Sequence, residues 1–409
     1  MPLTFTQKPL GTSLIPCYGA GNTANGVTFQ LLLDNATSRV SALFYDDAGN
    51  PSLIPLSIGY QSLTYYIVRG AWNPATGRLY VKWRTQWDAQ MNVTEFALSG
   101  TPLPTAATPL LTYQYGDALT GGTTSGTIYQ ATNSEGNIIV TSKSTVIACD
   151  MQNAMGPNDA DGRPTQLLKI WCLKNGIASE QTVTVSQGPN WGTIKQWELN
   201  LAEHSDGGIW CFIQHDSTWS IDVAVFDDAA AGLVVRLTKG GYIKTQDQTN
   251  APDANTPYGE MTKPTPFLAA DGFLYLAYGN EAAGINGTPP WMVSGGTFNP
   301  GFGTSVARIA VDGTLTFLPV IVAALQGQPT VLTLAVVNGI VCVQFVGWDS
   351  TTPTTTNKIS TKYDCQLING AWQFAAQSGY ITPLGYSSDQ NKARFTALAG
   401  GNLVALESA

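Results

Sequence analysis

Tryptophans and tyrosines beside carboxylates are the residues of this sequence best suited to chemistry. Trp87-Asp88 and Trp348-Asp349 are adjacent pairs, Tyr258 stands two positions before Glu260, and Trp291 follows Pro289-Pro290. An aromatic ring stacks on the C–H face of a sugar while a neighbouring carboxylate takes its hydroxyls. The same aromatics could instead pin their loops or pack against another subunit, because protein interfaces also bury them. Two carboxylates about 5–9 Å apart would add glycoside cleavage, and Asp150, Glu198, Asp222 and Glu260 are candidates for such a pair. The remaining acids Asp46-Asp47, Asp227-Asp228, Asp271, Asp312 and Asp364 are expected in hairpin turns, where a short carboxylate caps backbone N–H groups.

Other chemistries find less support. The chain has 2 histidines, His204 and His215, expected at opposite ends of one repeat, and no nucleophile motif accompanies them. Asn158-Asp159-Ala160-Asp161-Gly162 alternates oxygen ligands like a calcium loop but lacks the downstream glutamate, so Asp159 and Asp161 are weak metal candidates beside a solvated-loop reading. Cys17, Cys149, Cys172, Cys211, Cys342 and Cys365 form no Cys-x-x-Cys pair, and they are expected as isolated buried thiols in a reducing compartment. No cofactor is expected.

Charge narrows the partners. Lys and Arg number 20 against 28 Asp and Glu, a formal charge of -8, with no basic tract. Phosphate binding needs a clustered positive surface, so nucleic acid is not an expected partner. No apolar run approaches the roughly 18–20 residues of a membrane span. The first residues, Met1-Pro-Leu-Thr-Phe-Thr-Gln-Lys8, have none of the three regions of a secretory signal, so the expected location is cytoplasmic or in a virion.

The elements that must position these residues are strands. Only 12% of the residues are charged, 44% are hydrophobic, and 42 Gly and 23 Pro separate short apolar runs. One pattern recurs: an apolar strand, a glycine turn, then a stronger apolar strand. Its glycines are Gly26, Gly77, Gly136, Gly208, Gly272, Gly339 and Gly401, at spacings of roughly 50–70 residues. The clearest copies are Phe267-Leu-Ala-Ala-Asp-Gly272 and Leu334-Ala-Val-Val-Asn-Gly339. Their Asp-Gly and Asn-Gly pairs suit two-residue hairpins with positive φ at both central positions. Third and fourth strands follow, as in Ile221-Asp-Val-Ala-Val-Phe226 and Leu233-Val-Val-Arg-Leu237.

Four antiparallel strands per copy make this sequence resemble the β-propeller superfold in general, with no specific family matched. The resemblance implies an all-β chain and a single domain over 1–409. Seven blades are expected at approximately 12–58, 62–113, 125–185, 190–238, 262–320, 327–376 and 390–409, the last joined by residues 3–8, so that the N-terminal strand closes the ring.

In such a sheet the A–B and C–D hairpins leave one end, and the B–C and D–A connections the other. The second group is expected to hold the long insertions: 142–164, 240–262, 279–303 and 347–357. Function concentrates on long loops carried by a rigid scaffold. The preferred expectation is a non-enzymatic binding or structural scaffold, a phage-like virion or tail component or a lectin-like glycan binder. Its partner on the long-loop face would be a glycan or a protein, with other virion subunits included. The alternative is a polysaccharide-active enzyme, a glycoside hydrolase or lyase, using carboxylates on that face.

Overall fold

The structure is a computed structural model. It describes residues 5–10, 14–24, 27–34, 36–46, 48–59, 68–84, 90–116, 136–156, 165–186, 197–215, 220–244, 261–280, 303–319, 321–322, 330–348, 357–383, 393–397 and 403–408.

Among the described residues every regular element is a β-strand, and the strands form seven sheets. Strand β1 (Phe5–Leu10) precedes sheet 1, which contains β2 (Leu14–Ala24), β3 (Val27–Asp34), β4 (Arg39–Tyr45) and β5 (Pro51–Gly59). Sheet 2 contains β6 (Arg69–Asn73), β7 (Arg78–Trp83), β8 (Met91–Ser99) and β9 (Ala106–Tyr115). Sheet 3 contains β10 (Ile138–Val140), β11 (Val146–Gly156), β12 (Thr165–Lys174) and β13 (Ile177–Ser186). Sheet 4 contains β14 (Trp197–Glu203), β15 (Gly208–His215), β16 (Ser220–Ala229) and β17 (Gly232–Lys244). Sheet 5 contains β18 (Met261–Leu268), β19 (Leu274–Asn280), β20 (Gly303–Ile309) and β21 (Leu315–Phe317), with β22 (Ile321–Val322) also on β20. Sheet 6 contains β23 (Thr330–Val337), β24 (Ile340–Trp348), β25 (Asn357–Ile368) and β26 (Ala371–Pro383). In these six sheets each strand except β22 pairs with its neighbour in sequence, the meander that alternating apolar runs and tight turns dictate.

Sheet 7 has the order β1, β28 (Leu403–Ser408), β27 (Ala393–Ala397). The N-terminal strand therefore joins the last sheet, but it runs parallel to β28, with Phe5 opposite Leu403 and Leu10 opposite Ser408. A hairpin forces its two strands antiparallel, and no hairpin links strands from opposite ends of the sequence.

Two turn chemistries recur among the hairpins. Asn175-Gly176, Asn338-Gly339 and Asn369-Gly370 are two-residue turns with positive φ at both positions, which asparagine and glycine tolerate. Ala269–Phe273 differs from the two-residue expectation. Only Gly272 has positive φ there, the Gly272 N–H donates to the Ala269 carbonyl, and the Ala269 N–H donates to the Phe273 carbonyl. This is a type I turn closed by a left-handed residue, and Asp46–Asn50, Thr141–Thr145, His204–Gly208 and Ala310–Thr314 repeat it.

Sheet 3 corrects the reading of Gly136 as a hairpin glycine. The turn is Ser142–Ser144, with Ser144 at φ 60, and Val146–Gly156, expected within an insertion, is the second strand. Gly136 is needed for a different reason, since a Cβ on it would lie 1.9 Å from the Cys149 carbonyl oxygen. Asp227, Asp228 and Asp364 also depart from expectation. They lie within β16 and β25, and the hairpin after β25 turns instead at Asn369-Gly370. Asp46, Asp271 and Asp312 do cap turns, accepting the N–H groups of Asn50, Phe273 and Thr314.

The chain divides into two compact units. One contains residues 3–184, 227–235 and 391–409, and so sheets 1, 2, 3 and 7. In it Phe29, Leu31 and Leu33 of β3 pack with Trp72, Leu79, Val81 and Phe96 of sheet 2. The opposite face of sheet 2, with Tyr80, Met91, Val93 and Tyr115, packs on Val146, Ala148, Trp171 and Leu173 of sheet 3. Successive residues of β7 thus point into two different cores, because side chains alternate along a strand and both faces are covered. The other unit contains residues 1–2, 185–226 and 236–390. Its strand β19 behaves alike: Leu274, Leu276 and Tyr278 face sheet 4, while Tyr275 and Ala277 face sheet 6. Cys149, Cys172, Cys211, Cys342 and Cys365 are buried free thiols. Burial pushes Cys342 up to about 12 and is the first cause that raises Cys172 to about 11.

Candidate functional site

In an antiparallel meander the start of the first strand, the end of the second, the start of the third and the end of the fourth share one end of the sheet. From that end leave the second-to-third connections and those that run on to the next sheet, and it is called here the connection end. Among the buried charged residues, Arg69, Lys82 and Arg84 lie there in one unit and Asp222 lies there in the other, while Asp150 lies midway along β11, opposite Lys169. Asp364 lies midway along β25, and Asp228 lies at the opposite end of sheet 4. An ion is costly to bury unless it is paired and hydrogen-bonded, so the buried charges of one unit, Arg69, Lys82, Arg84 and Asp150, point to a site there.

The strongest constellation lies between sheets 2 and 3 of one unit. Lys82 and Asp150 have no exposed side-chain surface, and Lys82 Nζ is 2.5 Å from Asp150 Oδ1. Lys82 Nζ also donates to the carbonyls of Gly136 at 2.5 Å and Cys149 at 3.1 Å, giving three acceptors for the three hydrogens of an ammonium. The second oxygen, Asp150 Oδ2, accepts the Tyr115 hydroxyl. Tyr115 ends β9 and stacks on Trp171 with ring centroids 6.1 Å apart. Register explains the meeting. Lys82 follows Tyr80 on the face of β7 towards sheet 3, and Asp150 follows Val146 and Ala148 on the face of β11 towards sheet 2. Burial pulls Lys82 below the ordinary lysine value against the attraction of Asp150, and it lifts the Tyr115 phenol well above its ordinary value.

Around this pair the chain ends of the neighbouring connections are fastened. The Gly116 N–H donates to Glu180, which also meets Lys169 at 3.1 Å. The Gln90 side chain donates to the Gly116 carbonyl at 2.9 Å. In the other unit, Asp222 near the start of β16 accepts the Gly241 N–H at 2.6 Å, and Asn200 donates to the Pro264 carbonyl at 2.7 Å. Asp364 accepts from Gln344 at 2.9 Å.

By sequence order, the aromatic and acidic candidates belong to connections leaving this same end of their own sheets. Trp87, Asp88, Tyr258, Glu260, Trp291 and Asp349 lie outside the described residues, as do Asp159 and Asp161. Trp348 is the last residue of β24, opposite Ser360, at the connection end of sheet 6. Of the four acids weighed for catalysis, Asp150 and Asp222 take the places above. Glu198 lies in β14 opposite Gln214, and Glu260 is again outside the described residues. Lys82, Tyr115, Arg69 and Arg84 escaped sequence reasoning; the available signal was four polar residues bracketing apolar strands in a chain with only 20 Lys and Arg.

His204 and His215 stand at opposite ends of the β14–β15 hairpin. The Ser205 N–H donates to His204 Nδ1 at 2.7 Å, so the hydrogen is on Nε2, which donates to the Ile309 carbonyl at 3.1 Å. Both ring nitrogens of His204 fasten backbone, and the Ser205 hydroxyl, 3.1 Å from Nδ1, donates to the Gly272 carbonyl at 2.7 Å. Among the described residues no group of three or more His, Cys, Asp or Glu is placed to hold a metal ion. No helix among them is long and apolar enough to cross a membrane.

Asp228 ties the β16–β17 hairpin to sheet 3. It accepts from Lys174 at 2.5 Å and from Thr145 at 2.7 Å. Burial works to raise its carboxyl, but the hydrogen bonds from Lys174 and Thr145 and the charges of Lys174 and Lys143 outweigh burial and hold it below 3.8. A depressed folded value stabilises the protein above the unfolded value and ceases to do so as pH falls through the folded one. Asp228→Asn should therefore lower the melting temperature at neutral pH, and the gap to wild type should close as pH is taken below 3.8. A pH series of melting curves checks this; a gap that stays constant would refute it.

No family model and no curated protein matches the sequence. Among solved structures, the chain is similar to polysaccharide lyase Uly1, with 12% identity and a TM-score of 0.47 over 94% of this chain and 85% of that one. It is similar to a Trypanosoma rangeli sialidase in complex with sialic acid, with 11% identity and a TM-score of 0.45 over 90% of this chain and 54% of that one. It is also similar to a Penicillium chrysogenum α-L-arabinanase complexed with arabinobiose, with 12% identity and a TM-score of 0.40 over 82% of this chain and 86% of that one. The likeness is one of fold.

These findings correct the preferred expectation of a non-enzymatic scaffold, whether a virion or tail component or a lectin-like protein. The three similar structures are named as a lyase, a sialidase and an arabinanase. None of these findings supports virion subunits as partners.

Proposed function

We propose that this chain is a polysaccharide-active enzyme, a glycoside hydrolase or lyase, acting at the connection end of its sheets. In this reading the seven sheets are blades of one β-propeller domain, closed where β1 pairs with β28. The observation that carries it is the group of buried charged residues of one unit, Arg69, Lys82, Arg84 and Asp150, at or near the end from which the long connections of sheets 2 and 3 leave. Fixed charges beneath a loop-built surface are how a rigid scaffold holds reactive groups in place.

The partner is a glycan. Trp87, Trp291, Trp348 and Tyr258 would stack on its rings, and Asp88, Glu260 and Asp349 would supply the carboxylates. Hydrolysis needs one acid to protonate the leaving oxygen and a second to activate water or attack carbon. A lyase would instead remove the proton beside a uronate carboxylate and leave an unsaturated sugar.

Incubation with a panel of neutral and uronic-acid polysaccharides tests this. New reducing ends without ultraviolet absorbance indicate hydrolysis, and both signals together indicate elimination. Asp88→Asn, Glu260→Gln or Asp349→Asn should lower kcat by about 10²–10⁴-fold at the acids that act. No shortened product from any polysaccharide, with the fold intact, would sink the reading.

A further inference from the structure

Connection 117–135 is clasped at both ends by one buried cluster. On the entering side the Tyr115 hydroxyl binds Asp150, and Gly116 is held through its N–H by Glu180 and through its carbonyl by Gln90. On the returning side Lys82 Nζ takes the Gly136 carbonyl at 2.5 Å. Lys82 and Asp150 hold each other, so the two sides are joined through a single ion pair. Lys82 and Gln90, which flank connection 85–89 in sequence, bond to Asp150 and to the Gly116 carbonyl.

This arrangement is more specific than packing requires. The core between sheets 2 and 3 is otherwise apolar and aromatic, and an ion pair within it gives up solvation that apolar side chains would not. What the pair adds is direction. Three N–H bonds of Lys82 and two oxygens of Asp150 fix backbone and side-chain atoms from four chain segments at defined points.

We infer that Lys82, Asp150 and Tyr115 are positioning residues that fix the roots of connections 85–89 and 117–135, and with them Trp87 and Asp88. The clasp itself is independent of the polysaccharide reading, on which only its service to Trp87 and Asp88 rests. Its members are buried and act through the segments they hold.

Hydrogen exchange on the full chain separates positioning from simple stabilisation. Tyr115→Phe removes one hydroxyl and little volume. The double variant Lys82→Met/Asp150→Leu replaces the ion pair by apolar groups, a change that often leaves global stability intact. In both, the amides of Tyr115, Gly116, Gly136 and Asn137 should exchange about 10-fold faster while the centres of β7 and β11 keep their protection. Unchanged exchange at those four amides, or an even rise throughout the unit, would overturn the clasp. On a polysaccharide that the wild type cleaves, Tyr115→Phe should lower kcat with the melting temperature unchanged. Parallel loss of activity and melting temperature would overturn the service to Trp87 and Asp88. Absence of cleavage by the wild type would count against the polysaccharide reading, leaving the exchange result to decide the clasp.

Discussion

Lys82→Met should destabilise its unit by about 3–5 kcal/mol, the cost of leaving a buried charge without its partner. Methionine matches the length and fills the space, so the loss is electrostatic rather than a cavity. It removes the buried countercharge of Asp150 and leaves the Gly136 and Cys149 carbonyls without the hydrogens Lys82 gave them, while the Tyr115 hydroxyl still donates to Asp150. Adding Asp150→Leu to Lys82→Met should recover most of the stability, because the pair is then replaced by apolar groups. Denaturant titrations of the two single variants and the double complete a cycle. A double variant as unstable as the sum of the singles would show that the two residues do not act as a pair.

Gly136→Ala should cost about 3 kcal/mol or more through overpacking. The added carbon would sit 1.9 Å from the Cys149 carbonyl oxygen and 2.9 Å from its carbon. Both are backbone atoms of β11, so relief requires moving a strand whose two faces are occupied. Gly59→Ala is the control: its nearest neighbour is the Ser38 carbonyl oxygen at 4.0 Å, and a change within about 0.5 kcal/mol is expected. Similar melting temperatures for the two variants would mean that Gly136 has room the structure does not give it.

Gly136 also shows how far the sequence could be read. A glycine reports that a side chain is intolerable, without saying whether φ or a close neighbour is the cause. Gly339 and Gly272 are turn glycines and were legible from Asn-Gly and Asp-Gly. Gly136 is a contact glycine, and reading it as a turn placed the second strand of sheet 3 too early. The true turn was hidden because Ser144, not glycine, occupies its left-handed position. Asp364 was misassigned by the opposite error. An aspartate ahead of a polar stretch looks like a turn, whereas Asn369-Gly370 a few positions later is the stronger signal.

Site residues divide in the same way. Asp150 was visible as an isolated acid in an apolar run. Lys82 was not, since Arg78-Leu-Tyr-Val-Lys82 alternates like a strand with one wet face. Only the packing of sheet 3 on that face turns the lysine inward, and packing between repeats leaves no periodic mark. The stacking candidates rest on residue type and sequence order, which locate a connection but not a distance.

The pairing of β1 with β28 bears on how the molecule assembles. Sheet 7 takes one strand from residues 5–10 and two from residues 393–408, whereas sheets 1 to 6 are each made from one continuous stretch. Contacts between sequence neighbours close small loops and form early; those joining distant segments carry the largest loop-closure entropy. A nascent chain emerging from the ribosome can complete its first sheets in order, yet β1 has no partner until residues 403–408 are synthesised. Refolding should show the same hierarchy, with the meanders formed first and the β1–β28 seam as the late, slow event.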